Sequence, residues 1–153
     1  TNRREAYLYG FSAQMTDHIS DRFTLRAGAT STHGRIRTDS TDYPLDHIPP
    51  VYGRAGLEYQ AKKFRMEAYV VFNGWKRLRN ISTAPGSEDN LVYTTPDGVP
   101  AWYTMNVRGS YAFTKSIALQ VGLENIADDF YRTYASGTSA PGRNLTVSLR
   151  ASF

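Results

Sequence analysis

Seven stretches of this chain alternate apolar and polar side chains at every second position, and this alternation constrains the fold more than any other feature. In residues 144–153 the odd positions are Leu, Val, Leu, Ala and Phe, and the even positions are Asn, Thr, Ser, Arg and Ser. A period of two is typical of a β-strand, and helical periodicity is nowhere sustained, so the pattern predicts an all-β chain. The predicted strands are 5–15, 23–33, 51–60, 64–73, 102–113, 117–125 and 144–153.

The connections between these strands alternate in length. Three are short, at 16–22, 61–63 and 114–116, and three are long, at 34–50, 74–101 and 126–143. A soluble meander has no reason to sort its loops in this way, whereas an outer-membrane barrel has tight periplasmic turns at one rim and long extracellular loops at the other. The strands also have about the 9–11 residues that cross a bilayer at a tilt. The sequence therefore favours a transmembrane antiparallel β-barrel.

Charged side chains are confined to one face of the predicted strands. In a barrel the apolar face meets lipid and the charged face meets the lumen, whereas in a soluble β-sandwich the charged face would meet solvent. Charges in a confined wall need partners, so we expect mutual pairing and packing against a plug. The residues expected to face the lumen are Arg26, Arg54, Glu58, Arg65, Glu67, Arg108, Glu124 and Arg150.

Aromatic residues collect at the two ends of the predicted strands. The chain has eleven Tyr, seven Phe and two Trp. Amphipathic rings settle at the headgroup level of a membrane, so we expect two belts of rings. Phe23, Tyr59, Phe64, Tyr111, Phe113 and Phe153 lie beside the short turns, and Tyr7, Phe72, Trp75, Trp102 and Tyr103 lie beside the long loops.

Composition excludes several other classes of protein. The net charge is +4 without a dense Lys/Arg run, which argues against a nucleic-acid partner. Cysteine is absent, so the chain has neither a disulfide framework nor a zinc–thiolate site. The longest aliphatic and aromatic run, 68–72, is far too short for a membrane helix.

Seven strands cannot close an antiparallel barrel with every edge paired, and single-chain bacterial barrels use even numbers. If Phe153 lies at the short-turn rim, the first strand also runs inward and Thr1 lies on the long-loop side. The chain begins with Thr1 and no signal segment opens it. We therefore expect residues 1–153 to be the C-terminal segment of a larger barrel, without a plug domain.

Three motifs carry a resemblance to a known family. Residues 122–132, Gly-Leu-Glu-Asn-Ile-Ala-Asp-Asp-Phe-Tyr-Arg, resemble the penultimate strand and loop entry of TonB-dependent outer-membrane receptors, G-x-x-N-[LI]-x-D-x-x-Y. Residues 140–144, Ala-Pro-Gly-Arg-Asn, are similar to that family's A-P-G-R-N/T before the closing strand. Residues 48–57 resemble its I-P-P-x-[YR]-x-x-x-G-L entry into a strand.

The resemblance implies a barrel of about 22 strands with a plugged lumen in the bacterial outer membrane. It implies as partners the plug and upstream strands of the same receptor and a TonB-type energy-coupling protein that acts through the plug. The barrel-assembly machinery, outer-membrane lipid and lipopolysaccharide are further expected partners. Phe153 resembles the terminal aromatic of the barrel-assembly signal, which is compatible with a place in the ring belt.

No catalytic pattern is present, so we expect a transporter rather than an enzyme. The histidines at 18, 33 and 47 have no nearby Ser or Cys nucleophile arrangement, and the Asp, Glu and His spacing matches no metal-site motif. We expect neither a cofactor nor a resident metal.

Cationic and aromatic residues in the long loops are the candidate ligand-binding residues. In a receptor they would suit anionic or ring-bearing chelates, and equally the cations could meet lipopolysaccharide phosphates. The candidates are Lys76, Arg77, Arg79, Tyr93, Trp102, His33 and His47.

For the ligand, the sequence favours a small metal chelate that is siderophore-like, haem or cobalamin-like. The F-R-A-P and N-P-N-L motifs of haem receptors are absent, which disfavours haem, and the closing strand lacks the ending of the large glycan importers. A passive channel or structural barrel is the alternative. A soluble β-sandwich binder is more remote.

Overall fold

A computed structural model describes residues 5–39, 41–84, 87, 89, 91 and 94–152. Tyr93 and Phe153 therefore lie outside the described residues. The strands are β1 (Glu5–His18), β2 (Phe23–Arg37), β3 (Asp42–Pro44), β4 (Tyr52–Gln60), β5 (Phe64–Asn73), β6 (Lys76–Arg77), β7 (Gly98–Val99), β8 (Trp102–Ala112), β9 (Ile117–Glu124) and β10 (Asn144–Ala151), and a 3₁₀ turn spans Leu78–Asn80.

Seven long strands form one antiparallel sheet in the order β1-β2-β4-β5-β8-β9-β10, so that each pairs with the next long strand along the chain. The short β3 adds to β2, and β6 and β7 form a separate ribbon. Among the described residues, β1 and β10 pair on one side only, so the sheet is open. No helix in this part of the chain is long and apolar enough to cross a membrane. The predicted all-β antiparallel fold is confirmed.

β2 departs most from its predicted bounds, running to Arg37 rather than to residue 33. All fourteen residues of β1 pair with β2, from Glu5 opposite Arg37 to His18 opposite Thr24. Backbone pairing, rather than side-chain alternation, sets the length of these strands. The alternation ends at His33 and Arg35, which occupy positions where the pattern would place apolar residues. This end of β2 lies beyond the part of the sheet whose outer side chains are apolar.

The register decides which side chains share a face, since residues directly opposite each other in a sheet point the same way. Thr24 lies opposite Glu58, Glu58 opposite Glu67, and Glu67 opposite Arg108. Continued across the sheet, these pairs put all eight of the predicted charged residues on one face, called the polar face below. The opposite, apolar face holds the alternating apolar residues.

Side chains on the polar face are more buried than those on the apolar face, which is the reverse of the order in a soluble protein. Glu67 on the polar face is 4% exposed, whereas Leu149 on the apolar face is 67% exposed. Among the described residues, Ile81 is the only buried hydrophobic side chain. A soluble sandwich covers its apolar face, so this inversion contradicts the soluble alternative and agrees with a barrel wall whose apolar face contacts lipid.

Ring belts lie on the apolar face. At the short-turn rim the ring centroids of Phe23 and Tyr59 are 5.1 Å apart, and those of Tyr59 and Phe64 are 6.2 Å apart. At the long-loop rim Phe72 lies opposite Tyr103. The assignment of Trp102 to this belt is wrong: Trp102 lies opposite Asn73 on the polar face, because its even position in β8 turns it away from the side of Tyr103.

Candidate ligand site at the long-loop rim

Two of the sequence motifs close the base of the connection between β9 and β10. Asn125 has a φ of 48°, a left-handed conformation that Asn tolerates. Its Nδ2 donates to the carbonyl of Asp129 at 2.9 Å, and its Oδ1 accepts from the Asp129 N–H at 3.0 Å. At the other end, the N–H of Arg143 donates to Asp128 Oδ1 at 2.7 Å. A Cβ on Gly142 would lie 2.5 Å from that same oxygen, which explains the glycine.

A buried amide ties this connection to β8. The N–H of Asn125 donates to Asn106 Oδ1 at 2.9 Å, and Asn106 Nδ2 donates to the carbonyl of Thr104 at 3.0 Å. Asn125, Asn106 and Thr104 are all buried. The backbone of 125–129 is therefore fixed against the polar face, and the following residues are held over the outer end of β8.

Residues 130–136 and 94–102 enclose a cavity of about 300 Å³ at this end of the sheet. Four aromatic side chains line it: Trp102, Phe130, Tyr131 and Tyr134. The rings of Trp102 and Tyr131 lie 4.2 Å apart at an angle of 34°. Burial raises the pKa of Tyr131, and the charge of Glu124 adds to the shift.

A buried carboxylate beside the cavity joins all three long connections. Asp89, which is 7% exposed, accepts from the N–H of His47 at Oδ1, at 3.0 Å. Its Oδ2 accepts from the N–H of Ser82 at 3.0 Å and from the hydroxyl of Tyr134 at 2.6 Å. Burial, this hydrogen bond and the carboxylate charge raise the pKa of Tyr134 far above its ordinary value. We call Asp89, His47, Ser82 and Tyr134 the Asp89 cluster.

Lys76 packs against the Asp89 cluster from β6. Its Nζ donates to the carbonyl of Ile48 at 2.5 Å and lies 5.0 Å from the ring centroid of Tyr134. Burial lowers the pKa of Lys76, and the charge of Asp89 opposes that shift. Its ammonium group therefore helps to hold the loops together.

The structure brings three of the sequence-predicted ligand residues to this region. Trp102 lines the cavity, and Lys76 and His47 meet at the Asp89 cluster, where His47 contributes its backbone N–H. Their side chains thus differ in role: Trp102 borders the cavity, whereas Lys76 is buried among the loops.

The other described candidates lie elsewhere. The guanidinium of Arg77 stacks on the exposed ring of Trp75 at 4.4 Å, and Arg79 is exposed in the 3₁₀ turn. His33 lies 5.3 Å from the ring of Tyr9 on the apolar face of β1 and β2, so it does not face the cavity.

Several residues of the region, among them Asp89, Tyr131 and Tyr134, were not among the sequence candidates. A sequence signal for Tyr131 existed, because it is the tyrosine of the D-x-x-Y motif. Tyr134 had none, since its partner Asp89 lies 45 residues away in another connection.

Ion pairs cover the polar face between the strands. Arg65 Nη2 lies 2.6 Å from Glu58 Oε2, and Glu67 is bridged by Arg54 and Arg108, each at 2.7 Å. Arg26 lies 3.9 Å from Glu58. Mutual pairing is therefore confirmed for six of the eight charged residues. Within the described residues, no group of three His, Cys, Asp or Glu side chains could hold a metal ion.

An antiparallel sheet with an exposed apolar face, ring belts at both rims and an ion-paired polar face defines part of the wall of a transmembrane β-barrel. The family model of the TonB dependent receptor-like β-barrel matches residues 1–126, and the chain belongs to this family. Membership places the chain in the bacterial outer membrane. No curated protein matches the sequence of the chain.

Three solved structures show the same fold. The copper transporter OprC has a TM-score of 0.81 and 20% identity over 97% of this chain and 23% of its own. A mutant of the ferric enterobactin receptor PfeA from Pseudomonas aeruginosa has a TM-score of 0.69 and 19% identity over 97% of this chain and 22% of its own. The FpvAI–pyocin S2 complex has a TM-score of 0.64 and 19% identity over 95% of this chain and 19% of that chain. This chain thus spans about a fifth of each.

Proposed function

We propose that this chain is the C-terminal wall segment of an active transporter that takes up a small metal chelate through the outer membrane, energised by a TonB-type protein. Family membership supports the class of protein. The observation that carries the site is the aromatic-lined cavity at the long-loop rim, on the same side of the sheet as the ion-paired polar face. Apolar walls with a few polar groups are typical of small-molecule sites.

In this proposal the polar face lines the lumen and packs against the plug of the same receptor. Its arginines keep exposed surface after pairing: the side chains of Arg65 and Arg108 are 55% and 59% exposed. Those guanidinium groups offer further donors to a plug or to a passing anionic ligand. Energy input through the plug would move it and open a path along this face, so that the ligand leaves toward the periplasm.

Capture of the ligand would begin at the long loops. Arg77 and Arg79 are exposed there and can attract an anionic chelate. The same two cations can also pair with lipopolysaccharide phosphates. Trp102 lines the cavity that receives the chelate, while Lys76 and His47 keep the loops in place. We retain Tyr93 as a proposed ligand residue of the same connection.

The substrate class is proposed from the site and the neighbours together. OprC is named as a copper transporter and PfeA as a ferric enterobactin receptor, so two proteins of this fold carry metals or their chelates. The cavity of about 300 Å³ is at the lower limit of known ligand sites, about 300–1,000 Å³. It would therefore hold one part of a siderophore-like, haem or cobalamin-like ligand.

The proposed partners follow from the same architecture. They are the plug and upstream strands of the receptor, a TonB-type protein, outer-membrane lipid and lipopolysaccharide, and the barrel-assembly machinery, which would read Phe153. An open sheet needs further strands on both β1 and β10 before every backbone edge is paired, so we expect residues 1–153 expressed alone not to insert.

The test is uptake by cells that carry the complete receptor, in matched strains with and without the TonB-type protein. The panel contains ferric siderophores, haem and cobalamin, each with a radioactive metal. We expect accumulation of one class only, and only in the strain with the energy-coupling protein. Equal accumulation in both strains, or a steady ion current through the receptor in a planar bilayer, would support the passive channel and contradict the proposal.

A further inference from the structure

Trp102 carries a buried hydrogen-bond donor that the described fold does not use. Its Nε1 is buried, and no acceptor among the described residues pairs with it. An indole N–H can only donate, and a buried donor left unpaired costs about as much free energy as a lost hydrogen bond. Because native proteins pair nearly all such groups, this donor is available for an acceptor that the described residues do not supply.

One face of the Trp102 ring is covered by Tyr131. The two centroids are 4.2 Å apart and the ring planes meet at 34°, so the rings lie in close, tilted contact. The carbonyl of Tyr131 accepts from the N–H of Ala140 at 3.0 Å, so the backbone of Tyr131 is anchored. The neighbouring Phe130 is 83% exposed, and the cavity is therefore bordered by the outer surface on this side.

We propose that the Tyr131 side chain occupies the position on Trp102 that an aromatic ring of the ligand takes when the ligand binds. A planar aromatic ring of the transported chelate would displace the Tyr131 side chain and stack on Trp102, and an oxygen or nitrogen of the chelate would accept from Trp102 Nε1. Trp102 then determines specificity for ring-bearing chelates. The inference rests on the proposed function, because it names the ligand class and the residue that selects it.

Two variants separate displacement from ordinary contact. Tyr131→Ala removes the covering ring, so the displacement step disappears and binding becomes tighter. If Tyr131 were a direct contact to ligand, the same variant would weaken binding. Tyr131→Phe keeps the covering ring and is the matched control. Trp102→Phe keeps an aromatic ring but removes the N–H donor, so binding becomes weaker.

The experiment measures Kd for two iron probes with the complete purified receptor in detergent. The ferric complex of catechol offers planar rings with oxygen acceptors, and the ferric complex of acetohydroxamate offers oxygen acceptors without a ring. For the catechol complex we expect about tenfold tighter binding with Tyr131→Ala and about tenfold weaker binding with Trp102→Phe, with Tyr131→Phe unchanged. Binding of the hydroxamate complex, which has no ring to displace Tyr131, should be the same in the wild type, Tyr131→Phe and Trp102→Phe. Heat-dependent migration in detergent gels verifies that each variant is folded.

Weaker catechol binding by Tyr131→Ala, or equal binding by all four proteins, would overturn the inference. A plug apex in the cavity is the other candidate occupant. A photoreactive p-benzoylphenylalanine in place of Phe130 tests whether the plug occupies the cavity. Cross-linking to the plug that the catechol complex does not reduce would also overturn the inference.

TonB-dependent uptake of the hydroxamate complex without any preference for rings would leave the proposed function standing while the ring site fails. Uptake of no chelate in the panel would instead remove the proposed function.

Discussion

The phenol of Tyr134 donates a 2.6 Å hydrogen bond to the carboxylate of Asp89, which lies 45 residues earlier in the chain. The same carboxylate accepts from the backbone of His47 and of Ser82. One buried charge therefore fixes the relative positions of three long connections that share no strand pairing at this point. Tyr134 also lines the cavity, so the Asp89 cluster sets the shape of the candidate ligand site.

Asp89→Asn should loosen the three connections. An amide accepts hydrogen bonds at its oxygen but not at its nitrogen. At least one of the three donors therefore loses its partner, at a cost of roughly 1.5–3 kcal/mol for a bond to a charged group. We expect hydrogen exchange at the amides of Ser82 and His47 to accelerate about tenfold or more. Asp97→Asn makes the same chemical change at an exposed residue of the same connection and should leave exchange unchanged. Equal effects of both variants would contradict the role of Asp89.

Tyr134 should remain protonated at pH values where exposed tyrosines ionise. Burial and Asp89 raise its pKa from 10.0. A group with a raised folded-state pKa contributes stability that is complete below its unfolded pKa and is lost as pH rises through the folded pKa. The contribution of Tyr134 is therefore intact at neutral pH and declines only above 10.0. The phenolate absorbance of the complete receptor minus that of Tyr134→Phe should be zero up to about pH 11. A difference that appears near pH 10 would contradict this arrangement.

Val121 and Gln120 are neighbours in β9 that point to opposite faces of the sheet. Val121 belongs to the apolar face, opposite Gly109 and Val147, and Gln120 lies opposite Ser110 and Ser148. Val121→Arg should cost roughly 2–4 kcal/mol, because the guanidinium would enter the lipid near the middle of the wall. Gln120→Arg should be tolerated. Assembled receptor, measured by heat-dependent migration in detergent gels, should therefore fall for Val121→Arg alone, and an equal loss in both variants would contradict the assignment of faces.

Asn125 combines a left-handed backbone with two side-chain hydrogen bonds to Asp129. Asn125→Gly loses the hydrogen bonds only, whereas Asn125→Ala also carries the left-handed penalty of about 1–2 kcal/mol. We expect protease cleavage within 125–143 to rise in the order wild type, Gly variant, Ala variant. Asn144→Ala, at the exposed far end of the connection, is the control. Faster cleavage of the Gly variant than of the Ala variant would show that φ at Asn125 does not matter.

Much of the barrel wall could be predicted because the signals are local. The strand positions, the face of each charged residue and the two rims all follow from a side-chain period of two and from loop length. Trp102 shows that closeness to a loop does not decide the face of a residue. Its place beside a long loop suggested the ring belt, but its even position in β8 puts it on the polar face, opposite Asn73.

The sequence by itself determined an antiparallel β-barrel wall, because lipid on one side and a polar interior on the other impose a pattern that every strand must repeat. It also marked Asn125, Asp128 and Gly142 through their motifs, and the geometry of the turn explains each of them. The tertiary structure alone decided the site. The pairing of Asp89 with Tyr134 joins two connections, and that of Trp102 with Tyr131 joins the end of β8 to a connection. Irregular loops have no periodicity from which such contacts could be predicted.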